Sequence, residues 1–218
     1  VLQKLTRTDL SSASFPWLSA KQIDVNLAPS LAARVNFVGE LGWELHHPIE
    51  YQNHIFDALM SAGVEFGLKP FGIRAMDAMR LEKSYRMVGT EMSIEYAAFE
   101  SGLERFVQLQ KPDFIGRSGL LAWQEKGFAN SFVTLEVKDT TDRDVIGGNP
   151  IYKEGKLIGR ATSGGYGFRL GKSLALAMVA PDCTDIGTSL EIDILGDRFA
   201  AEIVEESPFD PANERLRV

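Results

Sequence analysis

The chain has 218 residues, 44% of them hydrophobic, which is enough to bury the core of one large domain or of two small ones. Its formal net charge of −7 argues against nucleic acid as a partner, because a surface that binds a polyanion needs clustered lysine and arginine. One cysteine cannot form a disulfide within the chain, and no apolar run approaches the roughly 20 residues that span a bilayer, so we expect a cytoplasmic protein without a membrane partner.

The first part of the chain mixes short strands with helices, so its pattern is α+β. Val1, Leu2 and Leu5 have the spacing of a helix that is already under way, and we therefore expect the chain to begin within a domain. The residues Ala28-Pro29-Ser30 predict a turn between two strands. The segments predicted here are a helix at Trp17–Gln22 and strands at Gln22–Leu27, Leu31–Phe37 and Trp43–His46.

Helical periodicity follows and then gives way to strands. Helices are predicted at Tyr51–Ala62 and from Ile73 to Tyr85, and a third helix follows Gly116 and ends at Lys126. From Ala129 onward, apolar runs separated by glycines predict a small antiparallel barrel or sandwich. Its predicted strands are Ser131–Val137, Ile151–Tyr152, Leu157–Thr162, Ser173–Val179, Ser189–Ile194 and Arg198–Ile203. We place the domain boundary between residues 125 and 126, which gives domains 1–125 and 126–218.

The densest cluster of polar and aromatic residues is the segment FVGELGWE, from Phe37 to Glu44. A carboxylate fixed at the end of a strand can accept two parallel N–H bonds, which the guanidine-like edge of a pterin ring offers. Glycines let a flat ring approach the backbone closely. Spacing alone also allows a second interpretation, in which the segment is a glycine turn with solvated glutamates.

At this segment the sequence resembles a known family. The pattern GExGxE at Gly39, Glu40, Gly42 and Glu44 resembles the folate-site signature of the glycine-cleavage T-protein (aminomethyltransferase) family. In that signature the second glutamate holds the pterin, and an aromatic residue seven positions earlier packs nearby; Glu44 and Phe37 occupy these positions. The family usually has tyrosine in place of Phe37, so the resemblance implies ring packing without a hydroxyl hydrogen bond.

The run MDAMRLEKSYRMVG, which begins at Met76, resembles a helix of the same family in the version found in dimethylglycine and sarcosine dehydrogenases. Met76 replaces an arginine that the family often assigns to ligand contact, which removes the basis for a folate salt bridge there. Without the resemblance, Asp77 and Arg80 at positions i and i+3 are typical of an ion pair on a helix surface.

Two further motifs follow in the family's order. The residues KPDFIGR at 111–117 resemble the K-x-DFIGR motif, although their chemistry is that of a helix entry. The run GRATSGGYG at 159–167 resembles the family's barrel loop, and it misses the GxGxxG register of a nucleotide site. His46 and His47 are expected on opposite faces of a strand, so they predict polar surface residues rather than a shared metal site.

The resemblance extends from about residue 15 to the end of the chain. It implies a partial T-protein-like folate-binding domain, with a mixed sheet and helices, followed by the barrel. It also implies that tetrahydrofolate captures a one-carbon unit from an N-methyl amine donor, such as dimethylglycine or sarcosine, to form methylenetetrahydrofolate. The cofactor-binding residues expected from it are Glu44, Phe37, Trp43, Tyr85 and Arg86. Candidate cations for the anionic folate tail are Arg74, Arg86, Arg169 and Lys172.

The resemblance implies a catalytic aspartate, which lies in the N-terminal half of the proteins of this family. Nothing in this chain matches the motif of that aspartate. We therefore expect the chain alone to bind folate without turnover. FAD is expected only in a fused or partner oxidase domain, and a mitochondrial matrix location is expected in a eukaryote. The alternatives are a non-catalytic folate-binding or regulatory module and a structural lid for a partner subunit.

Overall fold

A computed structural model describes residues 1–140 and 142–217. The chain forms two compact units. The first comprises Val1–Asp77 together with the residues from Ala212 onward, and the second comprises Ala78–Pro211. Within the described residues, no helix is both long and apolar enough to cross a membrane.

The first unit contains a three-stranded antiparallel sheet in the order β1-β2-β3, with β1 at Ala20–Val25, β2 at Ala28–Ala33 and β3 at Glu44–His46. Helix α1 at Gln52–Gly63 follows, and short 3-10 helices lie at Leu2–Leu5, Ile49–Tyr51 and Val64–Phe66. Alternate strand residues face the core, because successive side chains of a strand point to opposite faces. The buried core consists of Leu2, Phe15, Ile23, Val25, Ala28, Ala32 and Ile55.

The β1–β2 turn lies two residues earlier than the sequence pattern predicts. Val25 pairs with Ala28, so the turn is Asn26-Leu27, and Asn26 has a φ of 55°. Asparagine tolerates this left-handed conformation better than most residues. Pro29 lies inside β2, and its missing N–H is tolerated because β3 pairs only with Leu31–Ala33.

The predicted helix at Trp17–Gln22 is wrong, because hairpin hydrogen bonds occupy this backbone. The Leu18 amide donates to the Arg34 carbonyl at 3.0 Å, and the Arg34 amide donates to the Ser19 carbonyl at 2.9 Å. Leu18 also has a φ of 63°, which no right-handed helix accommodates. Cross-strand bonding has therefore overridden the local helical pattern.

Helix α2 spans Ile73–Leu81, four residues less than predicted. The Tyr85 amide donates to the Arg80 carbonyl at 3.1 Å, and the Ser84 amide donates to the Leu81 carbonyl at 2.9 Å. This pair of bonds ends a helix when the first residue after the cap has positive φ. Ser84 is that residue, with a φ of 54°. The buried Ser84 hydroxyl lies 2.7 Å from that of Thr134, so a tertiary contact supports the helix end.

The second unit contains helix α3 at Arg117–Lys126 and a closed six-stranded antiparallel barrel, as the sequence predicts. Gly116 and Gly127 flank α3 with positive φ. The barrel order is β4-β7-β6-β5-β8-β9, and its core is formed by branched aliphatic residues and alanines. Its strands are β4 (Ser131–Val137), β5 (Pro150–Lys153), β6 (Lys156–Gly167), β7 (Lys172–Val179), β8 (Ser189–Ile194) and β9 (Asp197–Val204).

These elements confirm the α+β fold class with a C-terminal barrel, whereas the sheet of the first part, expected to be mixed, is antiparallel in the described residues. The two compact units describe how residues pack and do not test where separate domains begin. The domain boundary predicted between residues 125 and 126 therefore stays a prediction. It falls five residues before the first barrel strand, at Ser131.

Candidate functional site

The loop between β2 and β3 holds the glycine- and glutamate-rich segment, and it folds back on itself. A Cβ on Gly42 would lie 2.7 Å from the Val35 carbonyl oxygen, which is closer than side chains come to backbone. Gly39 has a φ of +76°, and its amide donates to the Asn36 side-chain oxygen at 2.9 Å. Both glycines are therefore required by the backbone path that delivers Glu44 to the start of β3.

Glu44 is the first residue of the edge strand β3, where it pairs with Ala33. Its side chain is 57% exposed, and one carboxylate oxygen lies 3.2 Å from Nε2 of His46. The two side chains lie on the same face of the strand, since they are two residues apart. The sheet thus holds an accessible carboxylate at a fixed strand end, which is the geometry needed to accept paired N–H donors.

Trp43 lies on the opposite face from Glu44. With Leu45, it packs against the buried core of the first unit. Its ring meets that of Phe15 edge-on, with centroids 4.7 Å apart, and the buried guanidinium of Arg34 lies 5.7 Å from the indole. Trp43 and Arg34 also line a cavity of about 310 Å³. Trp43 therefore anchors the strand rather than covering the same face as the Glu44 carboxylate.

The remaining polar residue of the segment holds the loop in place. The Glu40 carboxylate accepts hydrogen bonds from Nη1 of Arg215 at 3.1 and 3.3 Å. Phe37 is half-buried in the same loop. The first unit thus brings Phe37, Glu40 and Glu44 into one short segment, with Glu40 engaged in structure and Glu44 open to solvent.

In the second unit, Tyr85 and Arg86 follow the end of α2. The Arg86 guanidinium donates to the carbonyls of Ser101 at 2.9 Å and Ser84 at 3.2 Å, and it pairs with Glu206. It also lies 3.8 Å above the Phe132 ring, and its side chain is 7% exposed. Tyr85 is half-buried. The contacts of Arg86 are those of a residue that holds neighbouring segments together.

The charged residues at the end of α2 are buried, contrary to the surface pair expected for Arg80. Arg80 is completely buried and donates to Glu91 at 3.3 Å. The buried Glu82 carboxylate accepts hydrogen bonds from the backbone amide of Arg169 at 2.7 Å and from its guanidinium. Lys83, also buried, donates to the carbonyls of Phe209 at 2.9 Å and Asp210 at 2.7 Å.

Glu91 is a buried acid that the sequence patterns did not single out. Its Oε1 accepts hydrogen bonds from the hydroxyls of Thr162 and Ser163, and its Oε2 accepts from Thr90 at 2.6 Å and the Met87 amide at 3.0 Å. Burial acts to raise the pKa of Glu91, but these hydrogen bonds outweigh burial and hold the pKa below its ordinary value. The carboxylate therefore stays ionised and ties the loop after α2 to β6.

Comparison with known proteins identifies the family to which this architecture belongs. Residues 1–111 match the model of the GCVT N-terminal domain, and residues 130–210 match that of the glycine cleavage T-protein C-terminal barrel domain. The chain belongs to the glycine-cleavage T-protein family. This confirms the family resemblance drawn from the GExGxE segment and the motifs that follow it.

Relatives of this T-protein chain include a dehydrogenase, an aminomethyltransferase and an oxidase. Human mitochondrial dimethylglycine dehydrogenase is 41% identical over 220 residues, which cover 100% of this chain and 25% of that protein. An aminomethyltransferase of Desulfitobacterium hafniense is 34% identical, covering 94% of this chain and 55% of that protein. The formaldehyde-forming 4-methylaminobutanoate oxidase of Paenarthrobacter nicotinovorans is 29% identical, with 100% and 26% covered. The chain spans between a quarter and about half of the length of these relatives.

A solved structure supports the T-protein fold. The crystal structure of the glycine cleavage system aminomethyltransferase T from Bartonella henselae matches with a TM-score of 0.76, covering 83% of this chain and 50% of that one. At 22% identity the likeness concerns the fold alone.

The cations suggested for a folate tail differ in their surroundings in this T-protein chain. Arg169 pairs with Glu82 and lies 3.8 Å from the Phe209 ring, while Lys172 pairs with Glu136 at 2.7 Å. Arg74 is exposed on α2.

Among the described residues no group of three or more His, Cys, Asp or Glu side chains could hold a metal ion.

Proposed function

We propose that this chain is the tetrahydrofolate-binding part of an enzyme that captures a one-carbon unit from an N-methyl amine and forms methylenetetrahydrofolate. Family membership supports the proposal, because the relatives include aminomethyltransferases and enzymes named for dimethylglycine oxidation or formaldehyde formation. The observation that carries it is the exposed Glu44 carboxylate, fixed by the β3 register at the end of the glycine loop.

Glu44 supplies the recognition chemistry in this proposal. A pterin presents adjacent ring and amino N–H groups, and a carboxylate accepts both in parallel, with about twice the strength of neutral hydrogen bonds. The strand holds Glu44 before the ligand arrives, so little conformational entropy is lost on binding. The glycine loop leaves space for a flat ring at the backbone.

The other residues have supporting roles. Phe37 is assigned to ring packing from its position in the signature, and Trp43 is assigned to holding the start of β3 through its contacts with Phe15 and Arg34. The assignments of Tyr85 and Arg86 to folate rest on the family resemblance and stay predictions.

Folate N5 and N10 supply the chemistry. When bound, tetrahydrofolate would supply these two nitrogens as nucleophiles toward the one-carbon unit. The chain's part in this reaction is to bind and orient the pterin. An FAD-containing oxidase region is proposed as the source of the one-carbon unit, since this chain spans only 25% of dimethylglycine dehydrogenase. A mitochondrial matrix location is proposed for a eukaryotic source.

The test is calorimetric titration of the purified protein with tetrahydrofolate, comparing Glu44→Ala with the control Glu50→Ala. Glu50 is an exposed glutamate of the same unit, in the 3-10 helix before α1. Leaving the pterin donors unpaired costs roughly 2–4 kcal/mol, so we expect an affinity loss of about 30-fold to 1,000-fold for Glu44→Ala alone. Equal affinities for the two variants would rule out this role for Glu44.

A second assay separates the enzyme from a non-catalytic folate-binding module. Methylenetetrahydrofolate formation is followed with dimethylglycine and with sarcosine as donors, using the full-length protein. Formation that depends on Glu44 supports the proposal. Folate binding without formation from either donor favours the binding module.

A further inference from the structure

The turn between β5 and β6 places two lysines directly opposite each other. Glu154 and Gly155 form the two-residue turn, with φ of 52° and 78°, so Lys153 pairs with Lys156. Like charges at directly opposed positions destabilise a hairpin. Throughout residues 1–140 and 142–217, neither ammonium group has an ion-pair or hydrogen-bond partner. By contrast, Lys172 on β7 pairs with Glu136.

Both lysines line a groove of about 860 Å³ on the barrel of the second unit. This volume lies within the range of small-molecule sites. Apolar residues line it as well, among them Leu157, Ile158 and Met178, and the Leu157 side chain is exposed. The groove therefore combines a cationic end with a partly apolar lining.

A β-bulge gives the groove its shape. The register of β5 and β6 shifts between Ile151 and Tyr152, so Ile158 has no partner in β5. The extra residue bends β6 beside the groove, and the consecutive residues from Lys156 to Arg160 all contribute to its lining. Bulges recur next to functional sites because they redirect side chains in this way.

The other end of the groove is fixed by a polar contact. The Arg160 guanidinium donates to the Tyr96 hydroxyl at 2.9 and 3.1 Å and pairs with Glu95. An adjoining cavity of about 270 Å³ shares these three residues, so the contact forms a wall common to both. Arg160 is thus neutralised within the groove, which leaves Lys153 and Lys156 as its cations without a direct ion pair.

We propose that this groove binds a small ligand in which one compact anionic group, a carboxylate or a phosphate, is attached to an apolar body. Lys153 and Lys156 would converge on the anion, and the apolar residues of the lining would cover the body. Glu154 and Asp182 also line the groove, so a single anionic group fits better than a polyanion. The site lies within the second unit and is independent of the folate proposal.

Three naphthalene probes test this site by fluorescence titration of the purified protein: 1-naphthyl phosphate, 1-naphthoate and the uncharged 1-naphthylmethanol. We expect at least one anionic probe to bind at least tenfold more tightly than the alcohol. The preferred anion identifies a phosphate or a carboxylate ligand. Binding should persist in Glu44→Ala and in the presence of tetrahydrofolate, which separates this site from the proposed folate site.

The double variant Lys153→Gln/Lys156→Gln should weaken binding of the anionic probe at least tenfold. The control Lys111→Gln/Lys126→Gln, which removes two exposed charges outside the groove in the same unit, should not. Without probe, the groove variant should also melt at a temperature equal to or above that of the control, since a like-charge pair is gone.

A charge-preserving double variant, Lys153→Arg/Lys156→Arg, guards against loss of folding and should retain binding within about threefold. Equal binding of the uncharged alcohol, or equal weakening by the groove and control variants, would overturn the proposal.

Discussion

Replacing Glu91 with glutamine tests whether the buried carboxylate holds the second unit together. In Glu91→Gln, one side-chain oxygen can still accept from Thr162 and Ser163. The other oxygen becomes an NH₂ group, which would face the Met87 amide and the Arg80 guanidinium, two groups that can only donate. The change therefore removes a charge and also sets donors against donors.

The magnitude follows from those contacts. Breaking a buried ion pair by removing one partner costs about 3–5 kcal/mol, and each lost charge-assisted hydrogen bond accounts for about 1.5–3 kcal/mol of such a penalty. Because glutamine keeps one acceptor, we expect the lower end, about 3 kcal/mol. Urea unfolding followed by far-UV circular dichroism measures it, with Glu125→Gln on the surface of α3 as the matched control. The control should change the free energy of unfolding by less than about 0.5 kcal/mol.

The difference in unfolding free energy between the wild type and Glu91→Gln should depend on pH. The pKa of Glu91 is lower in the folded chain than its ordinary value of 4.5, so its contribution is fully present above pH 4.5 and is lost as the pH falls through the folded pKa. The stability difference between wild type and Glu91→Gln should therefore narrow below pH 4.5. A loss no larger than that of Glu125→Gln at pH 7, or a difference that grows in acid, would refute this account.

Two further substitutions test other parts of the fold. Lys83→Met should destabilise the protein by about 1–3 kcal/mol and expose residues 206–210 to limited proteolysis, because the carbonyls of Phe209 and Asp210 lose their buried donor. Gly42→Ala should displace the loop before β3, because its Cβ would lie 2.7 Å from the Val35 carbonyl oxygen. Tetrahydrofolate affinity and melting temperature should both fall. The control Gly119→Ala, at an exposed and uncrowded helix position, should lower neither.

The barrel was predictable from sequence, whereas the first hairpin was only partly so. The barrel strands are short apolar runs separated by turns that contain glycine, and this pattern is visible in the sequence alone. In the first hairpin Ala28-Pro29-Ser30 suggested a turn, yet the turn begins two residues earlier than this segment, at Asn26. Pro29 is tolerated in β2 because of how far β3 extends, which local patterns do not encode.

The candidate site shows a similar division. The glycine loop was singled out from the sequence because its glycines, glutamates and aromatic residues lie within eight residues, and the role of Glu44 there rests on the family resemblance and stays a prediction. The buried charges were not predicted, because several of their partners are distant in sequence: Glu82 meets Arg169, 87 residues along the chain, and Glu91 meets Ser163, 72 residues along. Charges spaced along a helix predict a solvated face unless such partners are known.

The burial of these charges changes how mutations after α2 should be interpreted. Arg80, Glu82, Lys83 and Arg86 each bind a different segment of the second unit, so losing any one can displace the loop that contains Tyr85. Under the proposed function, such a variant is expected to lose tetrahydrofolate affinity without any contact between the altered residue and the ligand. Glu44 differs, because its carboxylate is exposed and β3 pairs through its backbone, so Glu44→Ala is expected to leave the sheet intact. A binding defect at Glu44 with unchanged stability therefore reports on ligand contact, whereas the same defect at Arg86 requires a stability measurement before it can be assigned.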